Sequence, residues 1–272
     1  MPKDTSMQMV ELLYRAKPVC DYAAIKRRVQ QLLGNIETSD ETDAEKAFLI
    51  FHRSYVASVG DMQIPAQTAL LLTDRPAEPA SYADELQQSW HCPDAAQLLE
   101  GLQGTLLVTE MMSRTIEPHD RAMLFHGVLQ AVVEITGPEA LVFLHSQQVV
   151  KATDYLSDCS AAPIFRRGAL NVRFFTITDT DDMIMDTRGL HELGLHELQC
   201  HFHGLDPNAV SGKLYDTAAY IFEKGAVIKP GETIEGLKPT EKWLCQFENS
   251  ILEPKRETLD LNPGKRHAAG NR

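Results

Sequence analysis

The chain has no apolar run near the roughly 20 residues that a membrane-spanning helix needs. Cysteine is sparse. Cys20, Cys92, Cys159, Cys200 and Cys245 stand far apart, are odd in number and form no C-x-x-C pair. No disulfide framework is expected, only reduced thiols in a reducing compartment. Positive charge is also short, with 26 Lys and Arg against 38 Asp and Glu and a formal net charge of −12. Nucleic-acid binding rests on neutralising phosphates with basic side chains, so this balance disfavours it, and it disfavours anionic membranes for the same reason. Met1 to Pro18 alternates polar and apolar residues with no core of signal-peptide length, so a cytoplasmic location is expected. Neither a G-x-S-x-G elbow nor a G-x-G-x-x-G fingerprint occurs. Gly212-Lys213 is not a phosphate loop, because Leu214 stands in place of Ser or Thr and Pro207 in place of the first Gly. No cofactor is expected.

The patterns that are present mix strands with helices. Met9 to Ala16 reads as a strand, followed by a helix capped by Asp21 and closed by Gly34, with Ile25, Val29 and Leu32 on one face. Phe48 to Val59 and Met62 to Leu72 read as strands joined at Gly60-Asp61, with Pro65 marking the second as an edge strand or starting it later. Short helices before and after Pro93 lead to a strand at Thr105 to Met111. Residues 120–135 predict a helix, 140–144 a strand, 147–156 a helix and 170–176 a strand. Thr178 to Asp182 then makes a turn. The strongest helix is Pro207 to Lys224, with Asp206 as cap, Val210, Leu214, Ala218 and Ile221 as its buried stripe and Gly225 as its stop. Short strand-like pieces follow at 226–228, 233–234, 243–247 and 258–261. The expected fold is α+β, a mostly antiparallel sheet with helices packed on it, in two loosely similar ferredoxin-like halves. These would intertwine in one domain over residues 1–261, leaving 262–272 as a flexible tail.

The densest chemistry lies between Ile184 and Leu205. His191-Glu192 and His196-Glu197 suggest a zincin, but the two histidines are five residues apart. On a helix that spacing turns them about 140° from each other. If the stretch is extended, His201 and His203 share one side and Cys200 the other, which gives at most two metal ligands. No metal is therefore expected, and Cys200 beside His201 does not make a thiolate pair. Asp179, Asp181 and Asp182 fail the EF-hand pattern and read as a hairpin turn. Gly189 and Gly194 read as bend residues, or as points where a partner could approach backbone amides.

Asp186-Thr187-Arg188-Gly189-Leu190, Leu193-Gly194-Leu195, Glu197-Leu198-Gln199 and Gly204-Leu205-Asp206-Pro207 resemble the core of the bacterial domain-of-unknown-function 4261 family. Ala219-Tyr220-Ile221, Gly231-Glu232-Thr233-Ile234, Pro254 and Arg256 extend the resemblance, which runs from about Leu170 to Leu261 and more loosely over about Gly104 to Val150. His196 stands where the family pattern has Pro. The resemblance implies no activity, cofactor or ligand set. The acidic charge and the lack of a complete catalytic motif lead us to expect a non-enzymatic intracellular protein-binding module, immunity- or antitoxin-like, whose partner carries a basic surface. Arg188, His191, Glu192, His196 and Glu197 are its candidate contact surface. The alternative is a metal- or His-dependent hydrolase built on the His191–His203 stretch.

Overall fold

The computed structural model describes residues 7–40, 47–73 and 76–270. It shows the α+β class, with two mostly antiparallel sheets and helices packed on them. The chain divides between Ala169 and Leu170 into two compact units. Every strand of the first sheet lies before that point and every strand of the second after it.

The first unit holds β1 (Met9–Tyr14), α1 (Tyr22–Leu33), β2 (Glu37–Thr38), β3 (Phe48–Val59), β4 (Met62–Thr73), α2 (Ala83–Gln87) and α3 (Ala95–Leu99). β5 (Gly104–Met111), α4 (Pro118–Thr136), β6 (Ala140–Phe143), β7 (Gln148–Lys151) and α5 (Ala152–Ser157) complete it. The sheet order is β2-β3-β4-β5-β1-β6-β7, antiparallel throughout. A ferredoxin-like half would make β1 and β3 parallel across α1, whereas here they run antiparallel with β4 and β5 between them. Alternation of side chains sends Val10, Leu12, Leu106, Val108, Leu141 and Phe143 to one face, under α1 and α4. Leu13, Ala140, Val142 and Val149 go to the other face, under Tyr82, Cys92, Ala95, Leu99 and Leu102. The unit is thus three layers deep.

Two local expectations change. Pro65 lies within β4, an interior strand, but β5 pairs with β4 only from Gln67 onward, so at Pro65 just one neighbour is present. The missing N–H therefore removes no bond to β5. Residues 147–156 are not one helix. Gln147, at φ +57°, turns the chain, Val149 and Val150 pair with Val142 and Leu141, and only Ala152 onward is helical. Two adjacent β-branched residues packing on both faces favour the strand. The open side of β7 is closed by side chains. Val149 N donates to Ser89 Oγ (2.7 Å), and His91 Nε2 lies 3.0 Å from Val149 O.

The second unit holds β8 (Asn171–Thr176), β9 (Met183–Arg188), β10 (Glu197–Phe202), α6 (Pro207–Lys224), β11 (Thr233–Glu235), β12 (Lys242–Asn249) and β13 (Glu257–Asn262). Their order is β11-β12-β13-β10-β9-β8, and β10 and β13 form the parallel pair. α6 begins as its signals predict, with Asp206 accepting from Asn208 N at 3.1 Å and Pro207 first. It packs on β8, β9 and β10 through Val210, Leu214 and Ala218, each fully buried. Residues 226–228 form no strand. The segment after Asn262, expected to be loose, returns to β10: His203 N donates to His267 O (2.9 Å) and Ala269 N to His201 O (3.1 Å). Ala269 is buried there, so a pair of backbone bonds and a small apolar residue supply the anchor that composition did not reveal. No helix among the described residues is long and apolar enough to cross a membrane.

Candidate functional site

The face of the second sheet opposite α6 is polar, yet much of it is buried. Strand register sets one row across it: Arg173 on β8, Asp186 on β9, Gln199 on β10, Asp260 on β13 and Gln246 on β12. Arg173 and Asp186 form a two-pronged ion pair, Nε to Oδ1 at 2.8 Å and Nη2 to Oδ2 at 2.5 Å. Arg173 also donates to Glu253 O at 3.1 Å, and Gln199 Oε1 accepts from Ile251 N at 3.1 Å. The loop between β12 and β13 is thereby tied down over the row. Burial raises the Asp186 pKa, because desolvation outweighs the stabilising guanidinium of Arg173.

The next row holds Glu197, which is 1% exposed. Thr187 Oγ1 donates to its Oε2 at 2.7 Å, and Gly189 N and His191 N donate to Oε1 at 2.9 and 3.1 Å. Arg256 Nη1 approaches Oε1 at 3.5 Å. Thr187 Oγ1 in turn accepts from Leu198 N at 2.8 Å. The bend that makes this cradle needs its glycines. Gly189 at φ +120° and Gly194 at φ +83° flank a short 3₁₀ turn, His191–Leu193, that brings both amides onto the carboxylate. Burial and then the nearby Glu192 carboxylate push the Glu197 pKa up to about 7, against the pull of Arg188 and of its donors.

Residues 186–262 match the family model described as Domain of unknown function (DUF4261). The matched DUF4261 segment runs from the ion-paired Asp186 on β9 through α6 to the end of β13, and so contains the Glu197 cradle and all but Arg173 of the polar row. No curated protein and no solved structure matches the chain.

The five residues expected to form an exposed contact surface do not form one. Arg188, Glu192, His196 and Glu197 are between 1% and 8% exposed, and His191 is half-buried. The amides freed by the two glycines already have an acceptor in Glu197, and this inward fold carries the charged side chains with it. His196 packs its ring 4.5 Å from that of Phe247, and burial holds its pKa down. His201 and His203 share one side of β10 as alternation requires, each with a ring nitrogen 3.7 Å from Asp182, while Cys200 is buried. The histidines therefore gather at opposite ends of β10 and do not converge. Among the described residues no group of three or more His, Cys, Asp or Glu side chains is placed to hold a metal ion. Asp179 and its neighbours make the hairpin turn between β8 and β9, with Ile177 N donating to Asp182 O at 2.9 Å.

A different surface stands out in the first unit. Residues 76–103 carry Glu78, Asp84, Glu85, Asp94 and Glu100 and neither Lys nor Arg. Tyr82, Cys92, Ala95, Leu99 and Leu102 pin this segment to the sheet. Tyr82 reaches down to the buried Glu11 carboxylate with its hydroxyl. Anchored in this way, the segment presents Trp90 outward at 63% exposure, with Glu78, Asp84, Asp94 and Glu100 also exposed. Asp94 is engaged by Lys151 Nζ at 2.7 Å. The signal was available in the sequence as a 28-residue stretch without a single basic residue and with a tryptophan inside it.

Proposed function

We propose that the protein is a non-enzymatic intracellular protein-binding module, immunity- or antitoxin-like, that engages a partner with a basic surface through residues 76–103. The observation that carries this reading is Trp90, 63% exposed on a segment that carries five acidic residues and no Lys or Arg and is held to the sheet. Tryptophan is the side chain most enriched at interface hot spots, and its ring face attracts Arg and Lys. The formal net charge of −12 steers a basic partner toward the protein and speeds encounter, an effect that salt screens as the Debye length falls from roughly 10 Å at 0.1 M to 3 Å at 1 M. Trp90 then supplies the short-range part of the affinity.

The test is cross-linking and co-purification from the source cells, comparing the natural chain, Trp90→Ala and the pair Asp84→Lys with Glu100→Lys. One protein recovered with the natural chain should be lost with Trp90→Ala. The charge-reversed pair should recover less of it, with an on-rate that falls less steeply as salt rises. Recovery that is the same for all three chains would remove this surface from the interaction, and the absence of any specific partner would remove the binding-module reading.

A further inference from the structure

The second unit sets an open sheet edge beside a cavity. β11 ends its sheet, and among the described residues no strand pairs with its outer side. The bonds to β12 run through alternate residues. Cys245 N donates to Glu232 O (2.8 Å) and Gly236 N to Glu241 O (2.9 Å), with Ile234 opposite Trp243 between them. Thr233 and Glu235 therefore turn their N–H and C=O groups away from β12. Both residues are exposed. Between this edge and α6 lies a cavity of about 450 Å3, within the roughly 300–1,000 Å3 typical of ligand sites. Its apolar lining is Tyr220 on α6 with Val227, Ile228 and Ile234, and Tyr220 and Val227 are 50% and 43% exposed. The charged residues of the lining are Asp216, Glu232 and Glu235 against Lys213. One oxygen of Glu232 accepts from Lys229 N at 2.9 Å. An apolar wall set among carboxylates suits a side chain with a long methylene stem and a cationic head, and an exposed tyrosine favours the same head. A second copy of the chain would bring the same three acidic residues to the edge, so like charge disfavours self-pairing.

We propose that β11 takes up an extended basic segment of a partner protein as an added strand, with a Lys or Arg side chain of that segment in the cavity against α6. The site lies in the other unit from Trp90 and stands whether or not that surface binds. The probe is the capped peptide Thr-Ile-Thr-Lys-Thr-Ile-Thr, titrated into the full chain and followed by NMR of the backbone amides. Binding should be saturable and should shift Thr233, Glu235 and Tyr220 most. Norleucine in place of the lysine should weaken it about fivefold, the size of an exposed ion pair, and glutamate there should abolish it. Only alternate peptide amides would face the edge. N-methylation of every second amide should therefore abolish binding in one register and spare it in the other, a distinction that electrostatic attraction alone would not make. The pair Asp216→Lys with Glu235→Lys, both at exposed positions, should keep the fold by circular dichroism and prefer the glutamate peptide to the lysine one. No saturable binding, equal effects of the two methylation registers, or a lysine preference that survives the charge-reversed pair would each overturn the proposal. A peptide-free dimer that Glu235→Pro dissolves would give the edge to a second copy and overturn it equally.

Discussion

Replacing Glu197 by Gln should flatten one part of the pH dependence of stability. A carboxyl whose pKa stands at about 7 in the folded chain against an ordinary 4.5 stays protonated in the fold while the unfolded chain ionises. The unfolded state then binds fewer protons than the native state between those values, so stability falls as pH rises through that window. Below 4.5 the contribution is fully present, and above 7 its loss is complete. At 1.36 kcal/mol per pH unit the loss amounts to about 3 kcal/mol. Glutamine cannot ionise, so Glu197→Gln should lack this slope. It will also carry a constant cost of about 1–3 kcal/mol, because its amide N–H2 faces donors that a carboxylate oxygen would accept. The offset and the slope separate cleanly. The assay is urea unfolding at a series of pH values from 4.5 to 8, followed by the fluorescence of Trp243, which is 1% exposed and lies in the second unit. Other titrating groups are common to both chains and cancel in the difference. The natural chain should lose about 3 kcal/mol relative to the variant across the window. Parallel curves would mean that the three donors and Arg256 hold Glu197 ionised throughout, and that the reasoning from desolvation is wrong.

Three further outcomes follow from the packing. Leu214→Ala, at a fully buried position on α6, should cost about 2–5 kcal/mol in denaturant melting; an unchanged midpoint would contradict the placement of that face. Asp206→Ala should cost about 1 kcal/mol through the lost cap to Asn208 N, and Asp206→Asn less; equal losses in thermal melts would show that the cap is not what Asp206 contributes. Arg121→Met leaves the 3% exposed Glu110 without its guanidinium, and should cost about 3–5 kcal/mol by circular dichroism. Adding Glu110→Gln should recover part of that loss, and no recovery would mean the pair is not coupled.

Features whose causes lie close together in the chain were legible in the sequence. α1 and α6 carry their caps and stops within a few residues of their ends, and Asp21, Gly34, Asp206 and Gly225 all act as those positions suggest. The Gly60 turn and the two strands beside it were equally plain. The strand at Val149-Val150 was misread, because its partners Leu141 and Val142 decide between strand and helix and the local pattern does not. The site was hidden by a stronger version of the same effect. A charged residue is normally placed outside by default. Glu197 is inside because Arg256, Thr187 and two amides meet it there, and Asp186 because Arg173 does. Those partners come from other strands and loops, and periodicity carries no trace of them. Trp90 is the reverse case, a bulky apolar residue that a pattern reader counts toward the core and that the fold leaves outside.

The place of β1 in its sheet constrains how the chain comes together during synthesis. Leu12 pairs with Leu106 on one side and with Leu141 on the other. A strand made ahead of both its neighbours is therefore a central one, and β5 and β6 follow much later in the chain. Until β5 and β6 exist, Val10, Leu12 and Leu13 have neither a ladder nor a core to enter. The β3–β4 hairpin, by contrast, can close from adjacent sequence at once. Such long-range closure slows folding and leaves apolar strand exposed on the nascent chain in the interval. Ribosome-held chains that end before residue 140 should therefore depend on chaperones, and chains that extend past α5 should shed that dependence in a single step.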